Sequence, residues 1–331
     1  MAFWISPAEL RRRGIVGMNM RNGSYIAEHN PRHRYPLVDN KLITKSLAQN
    51  AGVAVPELYG VVRTHHGIRE LGGLLEGRDS FVVKPVQGSG GNGIVVLDGR
   101  FDNGSYRRAN GRRMRPEELE HHVSNILAGA YSLGGQPDVA MIEQRVEFSH
   151  AFRDISYQGV PDIRIIVYRG CPAMAMVRLP TRQSDGKANL HQGAIGAGVD
   201  LETGITTEGV WLNRRVHQHP DTSCSVAGHA IPHWEEQLRL AARCHDLTGL
   251  GYLGVDLILD RQHGPLLLEL NARPGLAIQI ANEAGLRWRL RAIDRWLEAH
   301  GDATPPAEVR ARWFARAGLE TLAQAAARDA A

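Results

Sequence analysis

The chain has 331 residues, 43% hydrophobic and 22% charged, the profile of an ordinary soluble globular protein with two or three packed lobes. Its three cysteines, Cys171, Cys224 and Cys244, form no C-x-x-C pair, which excludes a disulfide framework or a zinc knuckle and suits a reducing cytoplasm. A net charge of +4 excludes the strong bias of a dedicated nucleic-acid binder, and no apolar run approaches the roughly 18 residues that a membrane span needs.

The opening "MAFWISPAELRRR" carries its charges after a short apolar patch, the reverse of a secretory signal. Residues 1–38 read as an irregular N-terminal arm rich in Arg, Asn, His and Pro. "DNKLITKSLAQNAGV" predicts a helix capped by Asp39, with Leu42, Leu47 and Ala48 as its apolar stripe and Gly52 as its end. "FVVKP" and "GIVVLD" predict strands on either side of "QGSGGNG". The turn-rich "RFDNGSYRRANGRRMRP" predicts a hairpin or exposed loop, its arginines a solvated charge run. A helix follows from Pro116, with Leu119, Val123, Ile126, Leu127 and Ala130 on one face.

Strands are predicted at "DVAMIEQRV", "DIRIIVYRG" and "AMAMVRLP". The long polar segment "TRQSDGKANLHQGAIGAG" separates them from a helix at "WEEQLRLAARCHDLTGL" and a strand pair at "YLGVDLILD" and "PLLLELNARPG". Two helices, "EAGLRWRLRAIDRWLEAH" and "PAEVRARWFARAGLETLAQAAA", close the chain. Strands and helices interleave without a regular βαβ period, so the expected class is α+β, two lobes with antiparallel sheets. The lobes are placed at 39–140 and 141–300, with a C-terminal helix in 301–331.

Two stretches carry chemistry. In "FVVKPVQGSGGNGIVVL" the lysine, Lys84, precedes the glycines and a strand follows them, so neither a Walker P-loop nor a dinucleotide fingerprint fits. A flexible strand–glycine–strand flap with a lysine beside it can still cover phosphates, through backbone N–H groups and a point charge. In "GVDLILDRQHGPLLLELNAR" a symmetric turn at "DRQHGP" sets Asp256 opposite Glu269 and Leu259 opposite Leu266, with Asn271 on the face of Glu269. Two opposed carboxylates repel, and an amide oxygen alongside makes an all-oxygen set suited to Mg²⁺ or Mn²⁺. Ile258 and Leu267 are expected on that same face. Only four of the 39 Lys and Arg residues are lysines (Lys41, Lys45, Lys84 and Lys187), so each surviving lysine marks a place where a compact point charge is wanted.

A lysine-and-glycine flap with a carboxylate–carboxylate–amide site resembles an ATP-grasp enzyme, over roughly residues 39–280. Within that superfamily it is similar to the alpha-L-glutamate ligases and to the sugar-transfer-associated branch. The resemblance implies ATP with Mg²⁺, two ions, held by Asp256, Glu269 and Asn271. It places Lys41 of "DNK" and Lys84 of "VVKP" on the nucleotide phosphates, under a flap made of Gly88, Ser89, Gly90, Gly91 and Gly93. "IEQRV" resembles the hinge, where Glu143 and the backbone of Gln144, Arg145 and Val146 read adenine. Asp162 of "DIRIIV" binds ribose and Arg164 faces phosphate or substrate. "KANLHQGA" resembles the R-S-N-L-H-R-G-G loop, which brings Lys187, Asn189 and His191 near the γ-phosphate and acceptor. Lys45, one turn beyond Lys41, is expected to face solvent.

The glutamate ligases usually show N-A-S-P-G, whereas this chain has Arg273 in "NARPG", a clamp for a carboxylate or a developing oxyanion. They also carry a sizeable domain before their D-K, where about 38 residues stand here. The implied activity is an ATP-dependent carboxylate–amine ligase that works through an acyl phosphate on an amino acid, peptide or protein terminus. The alternative is a phosphotransferase on a small anionic substrate. No membrane or nucleic-acid partner is expected, and homo-oligomerisation is left open.

Overall fold

The computed structural model describes residues 5–88, 90–301 and 304–314. Helix α1 (Lys41–Asn50) leads into the first lobe. Its N-cap is Asn40, whose side-chain oxygen accepts from the N–H groups of Leu42 and Ile43 at 3.0 and 3.2 Å, so the expected cap, Asp39, is one residue too early.

The first sheet contains β1 (Leu58–Val62), β2 (Ser80–Pro85), β3 (Val95–Arg100), β4 (Tyr106–Arg108), β5 (Arg113–Met114) and β6 (Ala140–Gln144), in the order β1-β6-β2-β3-β4-β5. On one face, Phe81, Val83, Val95, Leu97 and Ile142 pack against Leu119, Val123 and Ile126 of α2 (Pro116–Leu127). Each such side chain contributes roughly 1.5–3 kcal/mol by leaving water. Side chains alternate along β2 and β6, so the opposite face carries Lys84 and Glu143, a diagonal pair across two neighbouring strands. The arginine-rich turn forms the β4–β5 hairpin, as its composition predicts.

The second sheet contains β7 (Asp162–Tyr168), β8 (Cys171–Leu179), β9 (Ile195–Val199), β10 (Thr206–Trp211), β11 (Arg214–Val216), β12 (Tyr252–Asp260) and β13 (Gly264–Asn271), in the order β11-β10-β9-β8-β7-β12-β13. Ile163, Ile165, Val177, Val255 and Leu257 face α3 (Trp234–Thr248) and its Leu238, Ala241 and Ala242. The other face is divided. Its apolar half (Ile166, Tyr168, Met174, Tyr252) lies under α4 (Ala277–Ala281), α5 (Arg287–Glu298) and the N-terminal arm. Its polar half holds Asp162, Arg164 and Asp256 in register: Asp256 pairs with Arg164, and Asp162 pairs with Arg178. All named strand pairs are antiparallel, which bears out the α+β expectation.

The β12–β13 hairpin corrects the symmetric-turn register. Asp256 does lie opposite Glu269, but Leu259 pairs with Pro265 and Ile258 with Leu266. A bulge at Leu268 restores the outer pairing. It also puts Leu267 in the core beside Leu257, on the face opposite Ile258, where the plain alternation expected both together.

Other elements match the expectations only in part. The arm expected to be irregular is largely helical, with turns at Pro7–Arg12 and from Met18 to His29. The end of the polar segment is β9, buried along its length. Its Gly196 admits Leu190, whose methyl would sit 2.7 Å from an added Cβ, so small residues that read as loop are there for packing. Strands β1, β10 and β11 and helix α4 have no counterpart among the predicted elements. The last predicted helix is helical at Ala307–Arg310, and its residues 315–331 lie outside the described residues.

The arm is tied in by Asn30, which is buried. Its amide donates to the carbonyls of Tyr252 and Ala272 at 2.7 and 2.9 Å and accepts from Tyr252 N–H at 2.8 Å, pinning the open end of the β12–β13 hairpin. Asn30→Ala should leave those backbone groups unsatisfied and lower unfolding free energy by about 3 kcal/mol in urea titration. A loss under about 1 kcal/mol would contradict that role.

Candidate active site

The polar half of the second sheet is an ionic network. Arg164 grips Asp256 with two bonds, Nε to Oδ1 at 2.6 Å and an NH₂ nitrogen to Oδ2 at 2.5 Å. Arg178 donates to the same Oδ2 at 3.0 Å and is bidentate on Asp162. The Asn271 amide donates to Asp256 Oδ2 at 3.4 Å. Burial alone would raise the Asp256 carboxyl, but Arg164 and Arg178 hold it down to about 2. For Asp162, burial outweighs Arg178, and with the Asp256 carboxylate beside it the carboxyl is pushed up to about 6. Asp162, expected at a ribose, is thus engaged by Arg178. Sequence reading missed Arg178, because extending the tight β7–β8 hairpin outward would set Val177 opposite Asp162, and a bulge at Ala173 moves Arg178 there instead.

Lys41 joins this network to the flap. Its ammonium lies 3.3 Å from Glu269 Oε1 and donates to the Gly88 carbonyl at 2.7 Å. Gly88 must be small, since an added Cβ would sit 2.2 Å from Pro85 Cγ. Gly90, Gly91 and Gly93 all have positive φ, and Ser89 lies outside the described residues. The flap touches the other lobe at Gly90, whose carbonyl accepts from Asn189 at 3.1 Å and from Gln192 at 3.4 Å.

The expected adenine hinge is built differently around Glu143. Its carboxylate is buried and paired with Lys84 on one oxygen and with Lys45 on the other at 3.1 Å. Lys45, expected in solvent, is therefore interior. Its position four residues beyond Lys41 puts both on one face of α1. Burial lowers the Lys45 ammonium from its ordinary value, and Glu143 opposes that shift. Against a burial that would raise it, Lys84 and Lys45 hold the Glu143 carboxyl below its ordinary range. Beside the hinge, Val146, Ile258 and Leu266 form a small apolar cluster with Val160 and Leu268. Gln144 bonds to Glu57 through its backbone N–H at 2.8 Å, and Arg145 is half-buried.

Three expected site residues stand apart. Lys187 and His191 are exposed. Arg273 makes a half-exposed ion pair with Asp39 at 3.1 Å and lies over the Tyr35 ring at 5.0 Å.

The profile of the sugar-transfer associated ATP-grasp family matches residues 20–295. The chain belongs to this ATP-grasp family. Over 239 residues it is 24% identical to a probable alpha-L-glutamate ligase of Maridesulfovibrio salexigens, covering 72% of this chain and 56% of that protein. Among solved structures it is similar to a D-alanine–D-alanine ligase from Bacillus anthracis, at 13% identity, TM-score 0.43, covering 89% and 69% of the two chains. It is also similar to the ATP-grasp ligase PsnB complexed with minimal precursor, at 14% identity, TM-score 0.41, covering 79% and 60%. The chain thus spans little more than half the length of the curated relative.

The ATP-grasp face can be tested for a divalent cation. Among the described residues no group of three or more His, Cys, Asp or Glu is arranged to hold a metal, so a site here needs the Asn271 amide oxygen. Glu269 fits through the oxygen that Lys41 leaves free, and Asn271 fits once its amide turns its oxygen toward Asp256. Asp256 fits once a guanidinium shifts, because its two oxygens are already taken.

Glu143→Gln should leave Lys45 and Lys84 buried with one carboxylate fewer and destabilise the fold by about 3–5 kcal/mol at pH 7. The Glu143 carboxyl has a folded value below its unfolded one. Its contribution is therefore complete above the unfolded value near 4.5 and fades as pH falls through the lowered folded value. Chemical denaturation from pH 7 to pH 3 should show the wild type losing its advantage over Glu143→Gln. A constant difference would contradict the pairing.

Proposed function

We propose that this ATP-grasp chain is an ATP-dependent carboxylate–amine ligase that forms an amide through an acyl phosphate. The observation that carries this reading is Lys41, one ammonium in contact with both the glycine flap and Glu269. It links the lobe suited to cover phosphates with the lobe suited to hold a cation. The relative named as a probable alpha-L-glutamate ligase supports an amino acid or peptide substrate.

In this reading ATP binds between the lobes, its base against Val146, Ile258 and Leu266 and its phosphates under the flap. Glu269 and Asn271 hold Mg²⁺, with Asp256 joining them, and the ion supplies divalent charge that offsets the triphosphate. Lys41 neutralises phosphate oxygens from the flap side. Lys84 is held on the nucleotide face by Glu143 and adds charge when ATP draws it across. Arg164 and Arg178 are fixed by carboxylates, so their positions cost no reorganisation when charge develops. A substrate carboxylate oxygen attacks the γ-phosphorus and ADP leaves. An amine then attacks the acyl carbon and phosphate leaves, with the amine proton passing to solvent or phosphate. Flap closure through Asn189 and Gln192 keeps water from the acyl phosphate. Arg273, with Asp39 as its resting partner, lies at the rim to receive a substrate carboxylate.

A screen of carboxylates and amines should find ADP and phosphate release that requires both, with an amide as product. Accumulation of a stable phosphorylated compound without amine would replace the ligase by a phosphotransferase. Glu269→Gln keeps the shape and loses the charge, so turnover should fall about 100-fold or more in a folded protein. Near wild-type turnover would contradict the cation site.

A further inference from the structure

Gln192 stands where the glutamate-ligase motif R-S-N-L-H-R-G-G has its second arginine, so a neutral carboxamide replaces a guanidinium in this chain. The backbone around it is fixed. Gln192 N–H and Ala194 N–H both donate to the Asn189 carbonyl at 3.0 Å. The Gly193 carbonyl accepts from the Thr181 hydroxyl at 2.7 Å and the Trp211 indole at 2.8 Å. Gly193 has φ +100, and an added Cβ there would lie 2.9 Å from Gln183 Cγ.

From this turn the Gln192 amide donates through Nε2 to the flap carbonyl of Gly90 at 3.4 Å. A carbonyl can only accept, so this contact decides which way round the amide sits: NH₂ toward the flap, Oε1 away from it. Oε1 is buried and has no donor among the described residues. A buried acceptor left unmet is costly, and the arrangement calls for a donor that arrives with substrate. An arginine at this place would offer N–H groups to a carboxylate or phosphate. A carboxamide oxygen repels both and takes an N–H or O–H.

We propose that Gln192 is a specificity-determining residue of the acceptor subsite, its Oε1 accepting an N–H of the amine that attacks the acyl phosphate. The inference rests on the ligase reading and adds the polarity of the acceptor subsite: it selects an amine donor group over an anion. An N–H held by Oε1 leaves the nitrogen lone pair available to the acyl carbon, and positioning of this kind contributes directly to rate. No bond to Gln192 is made or broken.

The test uses the full chain with MgATP, the twenty amino acids as a pool of carboxylates, and hydroxylamine as the amine, reading hydroxamate. Gln192→Leu should raise the hydroxylamine concentration for half-maximal rate roughly tenfold, and since it also loses the 3.4 Å contact to Gly90, its ATP requirement should rise by no more than that of Asn189→Ala. Asn189→Ala removes the other contact to Gly90 and should raise the ATP requirement instead. Gln192→Glu keeps an acceptor oxygen, so its hydroxylamine requirement should stay within about threefold of wild type, and it serves if the leucine variant does not fold. If Gln192→Leu behaves like Asn189→Ala, or Gln192→Glu alone raises the hydroxylamine requirement tenfold, the acceptor assignment is wrong while the ligase reading stands. If the wild type gives no hydroxamate, the ligase reading and the assignment fall together.

Discussion

Two carboxylates face each other across β12 and β13, Asp256 and Glu269, with a third, Asp162, on the neighbouring strand. Paired like charges destabilise a hairpin, and a buried carboxylate without a partner costs several kcal/mol. The fold meets this demand with cations from three separate elements: Arg164 on β7, Arg178 on β8 and Lys41 on α1. Through Lys41 the same demand reaches the flap at Gly88, so one electrostatic requirement holds the sheet face, the first helix and the glycine turn in a common arrangement.

The division between lysine and arginine follows from shape. Where a carboxylate is gripped bidentately, as at Asp256 and Asp162, the chain uses guanidinium. Where one charge must serve two partners in different directions, it uses ammonium: Lys41 between Gly88 and Glu269, and Lys45 between Glu143 and the Pro56 carbonyl. Three of the four lysines therefore lie in or beside the site, though the third is Lys45 and not the expected Lys187. The buried Glu143 pair also changes what Lys84 is. Its charge is held by Glu143 on the sheet face opposite α2 and not left to solvent.

Much of this was readable from the chain, for reasons that also explain what was not. Period-2 alternation and a short turn found the Asp256–Glu269 pair. The inner register was hidden because a bulge at Leu268 leaves the outer pairing unchanged, and nothing local in "PLLLEL" announces it. Lys45 was legible in principle, since four residues along a helix return to the same face. What the sequence could not supply was the buried partner, Glu143, roughly a hundred residues away on β6. Strand β9 was lost because Gly196 and Gly198 read as loop until the side chains that fill their space are seen. The orientation of the Gln192 amide had no sequence signal at all, because it depends on a carbonyl in the other lobe.

The central claim is that this face activates a carboxylate by phosphorylation. It is tested most directly by oxygen transfer. With substrate carboxylate labelled in both oxygens with oxygen-18, and with MgATP and amine present, the account expects one labelled oxygen in the phosphate released, since the attacking oxygen becomes the bridge that leaves with phosphorus. Unlabelled phosphate during sustained amide formation would contradict it.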